Sequence, residues 1–480
     1  MKRRPKILIL GGGFAGVEVA RELEKLLAPD EAILQLVSRD NFVLFTPMLH
    51  EIAASDLDIS TVANPIRKMI RRTEFIVADV ENIDTDNKSV KVMHGFDRRS
   101  HSLAYDHLVL ALGSVPNFHG MAGLEQRALT MKSLEDAILL RNRMIAHLEE
   151  ADPLYSASSR NDLLTVVVAG GGFAGVETVA GIHDFMQSAI RSYRNLHPLQ
   201  IRVVLVHAGA HLLPELGEQL GRYTEKKLRE RGIEVLTQRR LRSITDAGVT
   251  LDDGLFIGTS FVVWAAGNSP SPVVAELPFA NRGGRIDTNL MLQVERREGV
   301  WALGDCASIP DGNGGFHPPT AQHALRQART AARNLVASIR GEALKPFSFR
   351  TIGQLAAIGR RKGVGQLFGR RFSGFIAWWM WRTIYLSKLP GLEKRLRVVL
   401  DWTLDLVFAK DTVQYTPFRA FSQSTRSAPF HDPEQSPHDS EPDDPPTSVG
   451  FDPGRSTIRK TEPIVADDFG SKSVSGIDIS

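Results

Sequence analysis

An α/β protein with two parallel-sheet domains and a separate C-terminal segment is what this 480-residue sequence predicts. Three observations carry that expectation. The octapeptide GGGFAGVE occurs twice, at Gly11–Glu18 and at Gly170–Glu177. Each copy stands between an apolar, β-branched run and a helix-compatible stretch. From about Gly359 the composition turns basic and rich in tryptophan.

The bulk composition sets the bounds. Apolar residues make up 42% and charged residues 24%, the mix of a globular chain, and the length suits two or three domains. A net charge of +3 provides no global field for nucleic acid. The single cysteine, Cys306, excludes an intramolecular disulfide, structural or catalytic, and a thiolate metal cage; no metal site is expected. It fits a reduced, cytoplasmic compartment. The basic start MKRRPK is followed by only Ile7–Leu10 before glycines begin, too short an apolar run for a signal sequence. No stretch reaches the roughly 18 apolar residues of a membrane span, so any membrane contact is made from one side.

KILIL precedes the first glycine loop and LLTVVVA the second. VEVARELEKLL and VETVAGIHDFMQSAI follow as helices, then AILQLV and IRVVLV as buried strands. Strand, glycine turn, helix, strand is the Rossmann-like unit, present twice. In it Gly11 makes the tight turn, Gly13 lets the backbone approach a pyrophosphate, and Gly16 lets helix and strand pack closely. Gly170, Gly172 and Gly175 repeat the set. The phosphates belong at the helix N-terminus, where free N–H groups and the dipole favour an anion. Two loops imply two dinucleotides. Tyr105–Gly113, Phe261–Gly267 and Gly299–Asp305 read as further parallel strands ending in small residues, and Pro319–Leu335 reads as a long helix with Thr320 as its N-cap.

The acid expected about 20 residues past each loop, to bind a ribose, is absent. Ser38, with Arg39 beside it, ends the first such strand and His207 the second. Ser38 can still bond a hydroxyl, and His207 does not repel a 2′-phosphate as a carboxylate would. Asp305, at a strand end, can accept from a flavin ribityl hydroxyl, and the helix from Thr320 can aim its positive end at the flavin ring. Glu18 and Glu177 lie in the first helical turns, where dipole complementarity is the plain reading for both and a functional role stays open for Glu177.

The C-terminal stretch from Arg360 to Arg397 holds ten basic residues against one acid, Glu393. GFIAWWMWRTIYL lies inside it, and four of the six tryptophans fall between Trp378 and Trp402. This composition suits an amphipathic anchor, with Trp378, Trp379 and Trp381 at headgroup level and the cations on anionic lipid; a core helix with solvated basic flanks is the other reading. The tail from about Phe421 is rich in Ser, Pro and Asp and reads as disordered.

Taken in order, these segments resemble the type II, non-proton-pumping NADH:quinone oxidoreductases of the two-dinucleotide-binding flavoprotein superfamily, over roughly residues 6 to 414. The resemblance rests on both glycine loops, on NFVLFTPMLHEIAA, LALGSVPNF, WAAG and ALGDCA, on HPPTAQHA at His317–Ala324, and on AWWMWRTIYLSKLPG. It implies a non-covalent FAD, NADH as donor and a membrane quinone as acceptor, with no proton pumping. It adds Pro47, Ala111, Gly113 and Ala321 to the FAD site of Gly11, Gly13, Gly16, Ser38, Arg39 and Asp305. It adds Ala266 and Gly267 to the NAD site of Gly170, Gly172, Gly175, Glu177 and His207. It implies Glu177 in proton delivery near the nicotinamide and Gln322 at the flavin–quinone junction. Arg326 stands on the quinone side, where members often carry a second glutamine.

The expected architecture is therefore two Rossmann-like dinucleotide-binding domains with a C-terminal amphipathic membrane-binding region. FAD takes 1–115 and 280–340, NAD(H) takes 116–279, the membrane-associating region is 341–415, and 416–480 is the disordered tail. The expected location is peripheral, on the cytoplasmic face of the inner membrane with its anionic surface, with no nucleic-acid partner. Rivals that use protein sulfur fail for want of cysteines. A ferredoxin- or rubredoxin-type reductase leaves the Trp-rich segment unexplained, and an NADH-sensing flavoprotein acting through a partner is separated by steady turnover with a soluble quinone. The quinone, the use of NADPH and assembly as a homodimer stay open at this level.

Overall fold

The structure is a computed structural model that describes residues 3–153, 157–404, 408 and 410–414. The chain divides into a unit of residues 1–426 and one of 427–480. The segment expected to be a disordered tail, 416–480, lies outside the described residues.

Runs of β-branched and leucine side chains that are apolar on both faces make parallel strands covered on both sides. Ile7 to Leu10 and Val166 to Val168 are completely buried. Two five-stranded, all-parallel sheets result. The first runs Val300–Ala302, His107–Leu110, Lys6–Leu10, Ile33–Ser38, Glu74–Val77. The second runs Ala128–Leu129, Phe261–Trp264, Thr165–Ala169, Arg202–His207, Glu234–Thr237. Four strands of each correspond in order, with the strand before the glycine loop at the centre, where the winding reverses. Each half adds a three-stranded antiparallel meander, Asp79–Asp84 to Arg99–Ala104 and Leu241–Thr245 to Phe256–Gly258. Ser114–Pro116 and Asn268–Pro270 pair antiparallel where the chain crosses between them.

The strand Val300–Ala302 joins the first sheet from far along the chain. The helix after it, Ala321–Arg340, packs along Phe14–Leu26. Buried Glu18 ties the two helices, accepting from Arg329 at 2.8 Å as well as from Arg21 at 3.2 Å. That makes Glu18 a structural acid. The helix runs five residues past the expected Leu335 and ends at Gly341, which takes the left-handed conformation that closes helices.

Residues 353–404 form a third layer. Strands Gly353–Ala357, Gly363–Leu367 and Arg370–Ser373 make an antiparallel sheet, followed by helices Gly374–Lys388 and Leu392–Leu404. This layer shares one core with the second sheet and with residues 45–62: Leu355, Ala356, Trp381, Leu389, Val398 and Trp402 are all buried there.

Candidate functional site

Parallel strands put their carboxyl ends on one edge, and the loops leaving that edge collect the candidate residues. In the first sheet these are the Gly11–Gly16 loop, Ser38, Ala111, Gly113 and Asp305. In the second they are the Gly170–Gly175 loop, His207, Ala266 and Gly267.

Both glycine loops lead into helices, Phe14–Leu26 and Phe173–Ala189, whose N-caps are Gly13 and Gly172. Neither cap has a side-chain hydrogen bond and neither first turn holds an acid: Glu18 and Glu177 are each the fifth helical residue, which corrects their expected place in the first turn. A Cβ placed on Gly13 or Gly172 would meet nothing within 4 Å. Exposed N–H groups facing open space are what a pyrophosphate requires. Asp305 Oδ2 accepts from Ser114 Oγ at 2.8 Å, and Lys132 Nζ donates to the same hydroxyl at 3.0 Å. Burial holds the Lys132 ammonium below its ordinary range, with Asp305 opposing that shift. These residues fit a dinucleotide with polyol hydroxyls, so the first cradle suits FAD. Lys132 was missed from the sequence because only the fold brings residues 114, 132 and 305 together. Arg39 is exposed and leans on Asp40 at 3.7 Å, while Ser38 packs directly on Gly12.

His207 does not project outward as a surface loop residue. Its Nδ1 accepts the Gly171 N–H at 3.1 Å, and Nε2 is buried without a partner among the described residues. Burial lowers its pKa, so the ring is held neutral against the glycine loop. Beside it Ala266 O lies 3.1 Å from His119 Nε2.

A third group forms beneath the C-terminal layer. Glu177 Oε1 accepts from the Ala357 N–H at 3.1 Å and from Trp381 Nε1 at 3.2 Å. Burial pushes its carboxyl up to about 8 and pushes neighbouring His50 down to about 3. The 3.8 Å approach of His50 Nδ1 to Glu177 Oε2 is thus a contact of neutral groups near pH 7, not an ion pair. Glu51 Oε2 accepts from Trp402 Nε1 at 3.1 Å, and burial carries this carboxyl to about 8 as well. Arg382 lies between the rings of Trp378, at 4.4 Å, and Trp402, at 4.3 Å. The indoles of Trp381 and Trp402 therefore face inward as donors to acids, which corrects the expectation that Trp381 sits at a lipid headgroup. Trp379 is the tryptophan left exposed.

Gln322 is engaged at both ends of its amide, Nε2 donating to Gly353 O at 2.9 Å and Oε1 accepting weakly from Ile352 N at 3.4 Å. Arg326 folds back to Gln322 O at 2.9 Å and stacks 4.0 Å over Phe349. Gln322 and Glu177 are anchored to opposite ends of the strand Gly353–Ala357, positions roughly 13 Å apart along an extended chain.

Comparisons with known proteins agree with this geometry. A family model described as pyridine nucleotide-disulphide oxidoreductase matches residues 5–328, and one described as NDH2 C-terminal domain matches residues 352–411. The chain is 30% identical over 414 residues to a probable NADH dehydrogenase of Dictyostelium discoideum, covering 85% of this chain and 90% of that protein. It is 29% identical over 391 residues to a type II NADH:quinone oxidoreductase of Staphylococcus aureus, covering 79% and 94%. The fold matches NDH2 from Plasmodium falciparum, solved with NADH, at a TM-score of 0.79 and 18% identity, covering 86% of this chain and all of that one.

Proposed function

The chain belongs to the pyridine nucleotide-disulphide oxidoreductase family, among the type II NADH:quinone oxidoreductases, and on that premise we propose that it passes electrons from NADH through FAD to a quinone without pumping protons. The carrying observation is the pair of open, uncapped glycine cradles on two parallel sheets, with a C-terminal layer packed over a buried Glu177. The test is NADH oxidation by the purified flavin-loaded protein with and without a soluble quinone. Turnover that depends on the quinone is expected, and its absence with several quinones sinks the reading.

FAD, when bound, supplies a two-electron carrier that accepts hydride on one side and yields electrons on the other. Residues 1–115 and 280–340 hold it: Gly11, Gly13 and Gly16 at the pyrophosphate, Ser38, Pro47, Ala111 and Gly113 along the cleft, Asp305 with Lys132 at the ribityl chain, and Ala321 at the helix start. Residues 116–279 hold NADH through Gly170, Gly172, Gly175, Ala266 and Gly267. Gln322 and Arg326 stand at the quinone. Quinol formation needs two electrons and two protons, while NADH delivers two electrons and one proton. Glu177, neutral at pH 7, holds a proton for the difference. Residues 341–415 attach the enzyme to the cytoplasmic face of the inner membrane.

Two substitutions check the donor side. Gly172→Val folds and keeps its flavin, because the new side chain enters open space. Its kcat/KM for NADH is expected to fall roughly a hundredfold, about 2.7 kcal/mol; flavin loss with normal NADH use reverses the two assignments. His207→Glu sets a carboxylate where a neutral imidazole now stands. The NADPH/NADH ratio of kcat/KM should drop about tenfold through repulsion of the 2′-phosphate. An unmoved ratio means that residue 207 serves the loop and does not face the ribose.

A further inference from the structure

Glu51 is a buried acid that neither glycine cradle nor the Gln322 region uses. It lies in the short helix Leu49–Ala53, against the helix Phe173–Ala189. On that second helix Glu177, Ala180, Gly181 and Asp184 recur at i, i+3, i+4 and i+7, so they form one face. That face is one wall of a cavity of about 50 Å³, and Glu51 and Asp56 are in the opposing wall. The cavity has room for one or two waters. Asp184 and exposed Arg360 stand at its rim, joined by the Arg360 N–H to Asp184 Oδ2 at 3.1 Å.

We propose that Glu51 is the relay that reloads Glu177 with a proton through water in this cavity, drawing it from solvent at the Asp184 rim. The inference rests on the quinone-reducing reading above. In each turnover NADH gives two electrons and one proton to the quinone, and the second proton leaves the Glu177 carboxyl. The Glu51 proton replaces it, and solvent restores Glu51. No further oxidant or reductant is needed.

The charges around Glu51 suit the role. Burial is the largest influence and favours the neutral acid; Asp56 adds to it, while Arg382, the Trp402 N–H and Lys410 oppose it. The Lys410 ammonium is itself paired with Asp56 and Ala54 O. Glu177 is pushed up in turn by Glu51, and His50 between them is neutral. Arg231 holds the rim by donating to Asp184, and His183 Nδ1 lies 3.3 Å from the same guanidinium nitrogen. Burial raises both carboxyls to about 8, which favours the protonated form of each at neutral pH. Both are loaded below that pH and empty above it, so quinone turnover should fall as pH rises through about 8.

The experiment compares flavin-loaded wild type, Glu51→Gln, Glu51→Asp and Asp56→Asn. It follows kcat with a soluble quinone against pH, the solvent deuterium isotope effect, and the bleaching of flavin by NADH on rapid mixing. Glu51→Gln is expected to lower kcat about tenfold or more and to raise the isotope effect, with bleaching, which needs no second proton, changed far less. Glu51→Asp restores part of kcat. Asp56→Asn removes a like charge and moves the alkaline limb to lower pH. Wild-type kcat, limb and isotope effect in Glu51→Gln overturn the relay. Where that variant loses its flavin, an unmoved limb in Asp56→Asn overturns it instead. A wild type that turns over no quinone fails the function proposed above, and leaves a result distinct from either.

Discussion

Gly13→Val yields a folded but colourless protein, whereas Gly16→Val yields little folded protein at all. The two glycines sit three residues apart in one loop, yet their surroundings are opposite. A Cβ on Gly13 meets nothing within 4 Å, so valine adds bulk only where the pyrophosphate has to lie. A Cβ on Gly16 would fall 1.9 Å from the Gly11 carbonyl oxygen, and Gly175 repeats this with Gly170 at 1.8 Å. That overlap is with backbone, so the helix must move off the central strand. Overpacking of that kind costs about 1–3 kcal/mol or more, a large share of the stability of a domain. Flavin absorbance and thermal unfolding separate the outcomes. Full flavin in Gly13→Val removes this loop from the cofactor site. Equal stability of the two variants removes the packing argument.

Changing Leu392, Leu396 and Leu400 together to Gln abolishes flotation with anionic liposomes while leaving soluble-quinone turnover near wild type. These leucines are 71%, 58% and 60% exposed and form an outward stripe at four-residue spacing, continued by Val399 and Leu404. Phe375, Ile376 and Trp379 extend the exposed apolar surface on the preceding helix. A contiguous patch of this kind marks an interaction surface. No helix among the described residues is long and apolar enough to cross a membrane. Burying a leucine is worth about 1.5–3 kcal/mol, so losing three weakens binding by at least about a thousandfold. Exposed Arg370, Arg371, Lys388 and Arg397 remain, and each contributes about 1 kcal/mol at an anionic surface, a part that salt removes. Triple variants that float like wild type would exclude this stripe as the docking face. Deleting everything from residue 360 is a poorer test. It would strip Trp381, Leu389, Val398 and Trp402 from a shared core and uncover Glu177 and Glu51.

Much of the fold was legible because its information is local. An apolar run of four, a glycine turn and a helix lie within twenty residues of each other, and the exact repeat removed the ambiguity of a single loop. Parallel strands buried on both faces have no polar alternation to misread, so KILIL and TVVVA pointed to a sheet interior without any partner being known. The candidate cofactor-side positions Gly11, Gly13 and Asp305, with Gly170 and Gly172 in the second sheet, are read from strand ends. The C-terminal helix Gly374–Lys388 was harder. It is apolar nearly all round, so its pattern does not say which face is buried, and a membrane anchor and a core helix both fit it.

The sequence alone determined two nucleotide cradles, their order, and a basic, aromatic C-terminal segment, because each is written in residues that are neighbours along the chain. Only the tertiary structure decided that Trp381 and Trp402 turn inward, that Arg382 lies between two indoles, and that Glu51 and Glu177 are neutral acids beside one cavity. Those facts depend on residues near 50, 180, 357, 381 and 402 meeting in one place. Burial sets the charge of a carboxyl, and burial is a property of what the rest of the chain lays over it.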